Sequence, residues 1–235
     1  MTLAVRKELT KLGRQALVAT KARKGAPTLC GQGGSPLGRS EESWPVANGE
    51  PLFPILTIHT PELPHVPEFL AAAAYWSFFI QRDLVEQSTD KGTFVVRSYA
   101  DKDGLIPLKP PLSRTAPRAR SARVLTRTTK PSRRPEPLGR LDFSFRRVTD
   151  YPSSAAIRKI WKVDDDEALD LSKEFPCHSG TKLGGFPHLI QQTAFLMTKT
   201  PDFQMQFDIT DLYRYADSGI GYVYRGLKSI IWESM

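Results

Sequence analysis

One four-residue signature occurs twice in this chain, and it constrains the fold more than any other feature. Gly33-Gly34-Ser35-Pro36 near the front is echoed by Gly184-Gly185-Phe186-Pro187 near the back. From Gly34 to Pro51 is 17 residues, and from Gly185 to Pro201 is 16. A strand-like run follows each proline, "LFPILTI" in one case and "DFQMQFDI" in the other. Each run is followed by a leucine-containing turn, "PELP" or "TDLY", and then by an aromatic run, "YWSFFI" or "GIGYVY". Agreement of order and spacing over two long stretches reads as internal duplication, and a period outranks any single motif. The paired glycines then serve geometry, because glycine takes positive φ without a Cβ penalty and lets backbones approach closely. Pro36 and Pro187 fix the exit direction. As a phosphate loop the motif is poor. No GxxxxGK[ST] is present, and Lys182 precedes its glycines.

Local patterns fill in the rest. Residues 4–22 read as one amphipathic helix, with Val5, Leu9, Leu12 and Leu17 near one face. The acid-poor, cationic start is faintly like a transit peptide, but a surface helix is the preferred reading. Pro67 suits the first position of a short helix over 67–74. "LFPILTI", "YWSFFI", "TFVVRSY" and "LDFSFRRV" read as strands, the last half-buried with Leu141, Phe143 and Phe145 alternating against polar residues. "SSAAIRKIWKV" and "DDEALDLSKEF" read as helices led by capping Ser or Asp. "FQMQFDIT" sets Phe203, Met205, Phe207 and Ile209 on a covered face, and Gln204, Gln206, Asp208 and Thr210 on one that can be wet. "GIGYVYRGLKSIIWES" reads as a hairpin turning near Gly226, with Tyr222 and Tyr224 on one side. The fold class expected is α+β: antiparallel sheets from two duplicated half-domains, an N-terminal helix and a basic Pro/Arg-rich linker.

Chemistry is scarce in the sequence. Cys30 and Cys177 are too few for a disulfide framework and read as reduced thiols. His59, His65, His178 and His188 occur in no CxxC or HExxH context, so no metal and no cofactor is expected. A cysteine nucleophile paired with a histidine is conceivable, but no pair is singled out. The acids of "VDDDEALD" suit a helix start, where anions meet the positive dipole end. The longest apolar run, residues 69–80, is too short for a membrane helix, which needs about 20 residues.

Charge is the strongest chemical feature. The 235-residue chain carries a formal +8, yet Lys109 to Arg147 alone hold twelve Lys or Arg against two acids, a net +10, so the remainder sums to −2. Within it, 109–139 reads as a mobile or surface-draped linker. Arg114, Arg118, Arg120, Arg123, Arg127, Lys130, Arg133 and Arg134 are its candidate partner-binding residues. Phosphates would be neutralised by such a set, with affinity falling in salt. No aromatic lies between Leu105 and Leu141 to stack bases, which favours an acidic protein partner over nucleic acid.

The stretches "GTKLGGFPHLIQ", "FQMQFDI" and "DSGIGYVYR" resemble the YwqG-like family. So do "CGQGGSPLG", "ESWPVANGEPLFPILTIHTPELP", "GLIPLKPP" and "VTDYPSS". The family pattern runs from a Ser-Lys-x-Gly-Gly-x-Pro entry and a Trp-Pro to a Gln-x-(Asn/Asp) strand and an Asp-x-Gly aromatic strand. This chain departs from it at Cys30-Gly31-Gln32 and at Thr57 and His59. The resemblance implies one domain over 1–235, with half-repeats 26–108 and 140–235 around the linker 109–139, and no catalytic residues to carry over. It also implies occurrence near bacterial toxin loci. The function expected is a non-enzymatic, cytoplasmic immunity protein that binds and neutralises a cognate toxin or secretion-system effector. The alternatives are a nucleic-acid-associated protein using 109–147, or an unrecognised ligand-binding enzyme. For the enzyme, a pocket of Lys182, Gln206, Asp208 and Asp217 is the place to look.

Overall fold

The computed structural model describes residues 2–23, 25, 27–47, 49–81, 94–109, 140–190, 202–208, 219–224 and 229–234. The eight cations proposed to bind a partner, Arg114 to Arg134, lie outside them, as do the linker, Asp217, Ile209, Thr210 and the hairpin turn near Gly226.

The N-terminal segment corrects the expected single helix. Thr2–Leu12 is a helix, α1, but Arg14–Lys21 is a strand, β1. Gly13 separates them where the backbone meets Thr149 and Tyr151; a Cβ there would lie 2.8 Å from Thr149 Cγ2. Ala16, Leu17 and Val18 are all buried. A run buried on both faces belongs to a central strand, and Ala-Leu-Val cannot be told from a buried helix by periodicity alone.

The other strands follow in order: β2 Gly31–Gln32, β3 Leu37–Gly38, β4 Val46–Ala47, β5 Glu50–Pro51, β6 Phe53–His59, β7 Tyr75–Ile80, β8 Phe94–Tyr99, β9 Ile106–Pro107 and β10 Leu141–Asp150. After the helices α2 Ser154–Trp161 and α3 Asp165–Glu174 come β11 Lys182–Gly184, β12 Phe203–Asp208, β13 Gly219–Tyr224 and β14 Ser229–Ser234. Among the described residues the chain is therefore α+β, mostly antiparallel sheet with three α-helices. Among the described residues ten strands form one sheet in the order β14-β13-β12-β11-β1-β10-β2-β6-β7-β8. The central pair β1 and β10 runs in register from Arg14 opposite Asp150 to Lys21 opposite Phe143. Pro54 is tolerated in β6 because the pairing with β7 is irregular between Pro54 and Leu56.

One face of the sheet feeds a contiguous core. Leu17, Leu56, Ile58, Trp76, Phe78, Phe143, Phe145, Leu183, Met205, Phe207, Val223 and Ile230 belong to it, so both flanks of the central pair contribute. The two flanks also touch directly. Gln32 on β2 donates its amide to Thr181 Oγ1 at 3.1 Å and to the Asp208 carbonyl at 2.9 Å. The opposite face is covered in two places. Trp44, Leu52 and Leu108 pack on Phe79, while Leu189 and Ile190 pack with Phe203, Ile220, Tyr222 and Tyr224. An irregularity between Phe203 and Met205 moves Phe203 to this second cluster, away from Met205 and Phe207, which corrects its expected face.

The helices form a separate small core. Val5 and Leu9 of α1 pack with Ile157, Val163, Ala168, Leu171 and Phe175. Ser153 caps α2, accepting from Ala156 N, and Asp164 caps α3, accepting from Glu167 N at 2.8 Å. The acid run thus starts a helix. Residues 67–74 differ from expectation: they hold only a single 3₁₀ turn, Glu68–Leu70, and Pro67 stands before its first residue.

The strand assignment is directly testable. Leu17→Ala removes a fully buried core side chain and should cost about 2–5 kcal/mol in urea unfolding. Leu12→Ala, 40% exposed on α1, should cost under about 1 kcal/mol. A reversed order would contradict the helix-to-strand break at Gly13.

Candidate functional site

The polar chemistry of the interior gathers beneath the second Gly-Gly turn. β10 ends on Asp150, whose carboxylate is completely buried. Its Oδ2 accepts from Lys182 Nζ at 2.8 Å and from the Phe186 amide at 2.7 Å. Its Oδ1 accepts from the His178 amide at 2.7 Å and lies 3.1 Å from His178 Nδ1. Lys182 is equally buried, and its ammonium also donates to the His178 carbonyl at 2.6 Å and contacts Cys177 Sγ at 3.7 Å. A charge taken this far from water survives only with a partner and further hydrogen bonds, and here both are supplied.

A second ring of contacts extends the cluster outward. Lys182 pairs in register with Gln206, and Gln206 with Tyr222. Gln206 accepts from the His188 amide at 2.8 Å and donates to the Gly180 carbonyl at 2.7 Å. The Tyr222 hydroxyl lies 2.8 Å from the His188 carbonyl and 3.0 Å from Glu233 Oε2, which also accepts the Ile190 amide at 2.7 Å. These bonds hold residues 178–190 over the sheet. The expected wet face of β12 is therefore dry at Gln206, because this segment lies across it. Burial and the neighbouring Glu233 push the Tyr222 hydroxyl pKa well up, so it stays a neutral donor. Burial, assisted by Lys182, pushes the His188 imidazole down.

Of the hypothetical pocket of Lys182, Gln206, Asp208 and Asp217, the last lies outside the described residues. Lys182 and Gln206 do come together, but as a filled interior whose donors face protein acceptors. Asp208 uses its backbone amide on Thr181 Oγ1.

The first flank carries a different set. Glu62 accepts from Thr28 Oγ1 at 2.6 Å and from the Leu29 amide, and its Oε1 lies 2.8 Å from His59 Nδ1. Cys30 lies beside them, its sulfur 3.3 Å from the His59 amide. Burial, with Glu62 adding to it, pushes the Cys30 thiol up to about 12. Burial likewise pushes Cys177 up to about 11 against the pull of Lys182. Both therefore remain protonated thiols near neutral pH, the opposite of an activated nucleophile. Among the described residues no group of three or more His, Cys, Asp or Glu is placed to hold a metal ion.

Sequence reading identified Lys182 and the glycines but missed Asp150, Tyr222 and Glu233 as partners. Only the break in apolar alternation at "VTDYP" and the lone acid in "IIWES" hinted at them. An open depression of about 290 Å³ lies elsewhere, lined by Arg39, Glu41, Tyr99, Asp101, Asp103 and Leu105 among others. None of the buried network lines it.

A family model described as a domain of unknown function, DUF1963, matches residues 32–224. No curated protein matches the chain. No helix among the described residues is long and apolar enough to cross a membrane.

The buried pair predicts strong coupling. Asp150→Asn and Lys182→Met should each cost about 3–5 kcal/mol, since each strands a partner. Together they should cost less than the sum by at least about 1 kcal/mol, read from urea unfolding of the double-mutant cycle. Simple additivity would mean the two charges do not depend on each other.

Proposed function

We propose, for a chain that belongs to the DUF1963 family, that it works as a non-enzymatic protein-binding module. The observation that supports this reading is the commitment of Lys182, Cys30 and Cys177, among the described residues, to the fold. The Lys182 ammonium is enclosed by Asp150 and the His178 carbonyl, and both thiols are raised away from reactivity. A scaffold of this kind acts through its surface.

The finer reading is a YwqG-like immunity protein of the cytoplasm that binds and neutralises a cognate toxin or effector. The quoted motifs and the net +10 of Lys109 to Arg147 support it. Neutralisation would come from covering the toxin's active site or blocking a motion it needs. The cations Arg114, Arg118, Arg120, Arg123, Arg127, Lys130, Arg133 and Arg134 would speed encounter with an acidic partner. We read the chain as one domain with two half-repeats, 26–108 and 140–235, around the linker 109–139. What supports the repeat is the register. Gly31 pairs with Thr57 and Thr57 with Ser77 on one flank, as Lys182 pairs with Gln206 and Gln206 with Tyr222 on the other.

Co-expression with the product of the adjacent gene tests this. The account expects co-purification and relief of growth arrest by this chain. It also expects faster association at low salt, with the rate falling on substitution of the eight cations. A neighbour without toxicity, or a toxin left active in the presence of the chain, would contradict it.

A further inference from the structure

Residues 188–190 form a strap across the second flank, and the strap begins on a histidine. Gly184-Gly185-Phe186-Pro187 leads into His188, Leu189 and Ile190. Side chains on β12, β13 and β14 hold these residues down. Gln206 accepts the His188 amide at 2.8 Å, the Tyr222 hydroxyl donates to the His188 carbonyl at 2.8 Å, and Glu233 accepts the Ile190 amide at 2.7 Å. Leu189 and Ile190 thereby cover Phe203, Ile220, Tyr222 and Tyr224. The Asp150 carboxylate fixes the chain just before the strap, at the Phe186 amide.

The His188 side chain is the weak point of this arrangement. Its Nδ1 is buried and has no hydrogen-bond partner among the described residues. A neutral ring tolerates this, because Nδ1 can stay a bare acceptor. Protonation would put an N–H there with nothing to receive it, on a ring that now carries charge. Charged groups face the ring from four strands. Lys182 on β11 opposes a positive ring, while Asp150 on β10, Asp208 on β12 and Glu233 on β14 favour one. Asp150 is already paired with Lys182 at 2.8 Å. The Tyr222 hydroxyl on β13 stays neutral. Burial, assisted by Lys182, outweighs the acids and lowers the ring's affinity for a proton.

We propose that residues 188–190 are an acid-sensitive strap: protonation of His188 lifts them from β12, β13 and β14 and uncovers the apolar cluster of Phe203, Ile220, Tyr222 and Tyr224. A ring that is neutral under the closed strap and protonated once released favours opening as acid is added. Closure is fully present above the ordinary imidazole pKa of 6.5 and is lost as pH falls toward the lowered value. Below about 6.5 the opening constant should rise by up to about tenfold per pH unit. The first glycine turn supplies a non-titrating counterpart. Leu37 follows Gly33-Gly34-Ser35-Pro36 as His188 follows its own glycines. Its amide is likewise bonded to an uncharged side chain, the Tyr75 hydroxyl at 3.1 Å. Strap opening needs no partner, so it stands or falls apart from the antitoxin reading.

The test is native-state hydrogen exchange of the ¹⁵N-labelled full chain from about pH 7.5 to about pH 5, read as protection factors. The amide at position 188 is the reporter, because its acceptor Gln206 does not titrate. Its protection should fall by about tenfold or more over this range, while the Phe186 amide and those of β1 keep theirs. His188→Leu, which installs the first turn's own residue, should hold position 188 steady. The wild-type ring, followed by its ¹³Cε1 shift, should titrate below 6.5. Unchanged protection at position 188, the same fall in His188→Leu, or a wild-type ring titrating at or above 6.5 would overturn the strap. So would an equal loss of protection at Phe186, since that is global unfolding and not release of the strap.

Discussion

A single carboxylate in a dry interior governs how the second half of this chain is arranged. Asp150 closes the central strand β10 and there receives four contacts, from Lys182, from the Phe186 amide and from both the amide and ring of His178. Each ties a different piece of chain to the sheet centre. Lys182 is on β11, Phe186 leaves the glycine turn, and His178 enters the loop after α3. An unpaired charge there would cost several kcal/mol, so the contacts stand or fall together. With the turn fixed, residues 188–190 reach across β12, β13 and β14, where Gln206, Tyr222 and Glu233 receive them.

The other flank is built without this device. Gly31 and Thr57 occupy the register positions that Lys182 and Gln206 hold opposite. Thr57 donates to the Leu29 carbonyl, a neutral contact. The charges of that flank sit nearer the surface, with Glu62 joining Thr28 and His59, and Arg140 running along Gly34. One flank thus spends its charges on internal order and the other presents them at its margin.

Much of this was legible in the sequence where a local rule acts alone. The caps of α2 and α3, the strands at 53–59, 75–80 and 94–99, and the φ > 0 glycines each follow from residue type and period. What failed depended on distant chain. Ala16-Leu17-Val18 suits helix or strand equally, and only flanking β10 and β11 decide for strand. Gln206 alternates as a solvent-facing residue should, yet the 180–190 segment dries its face. The Asp150–Lys182 pair spans 32 residues and no period links them. The cations from Arg114 to Arg134 lie outside the described residues, so the charge argument there remains one of sequence.

The central claim is that the Asp150 carboxylate locks the 178–190 segment to the sheet, and native-state hydrogen exchange measures this most directly. The account predicts that the Phe186 and His178 amides exchange only through global unfolding, as slowly as amides of the central strand β1. Exchange of those two amides by local opening, orders of magnitude faster than β1 and independent of overall stability, would contradict it.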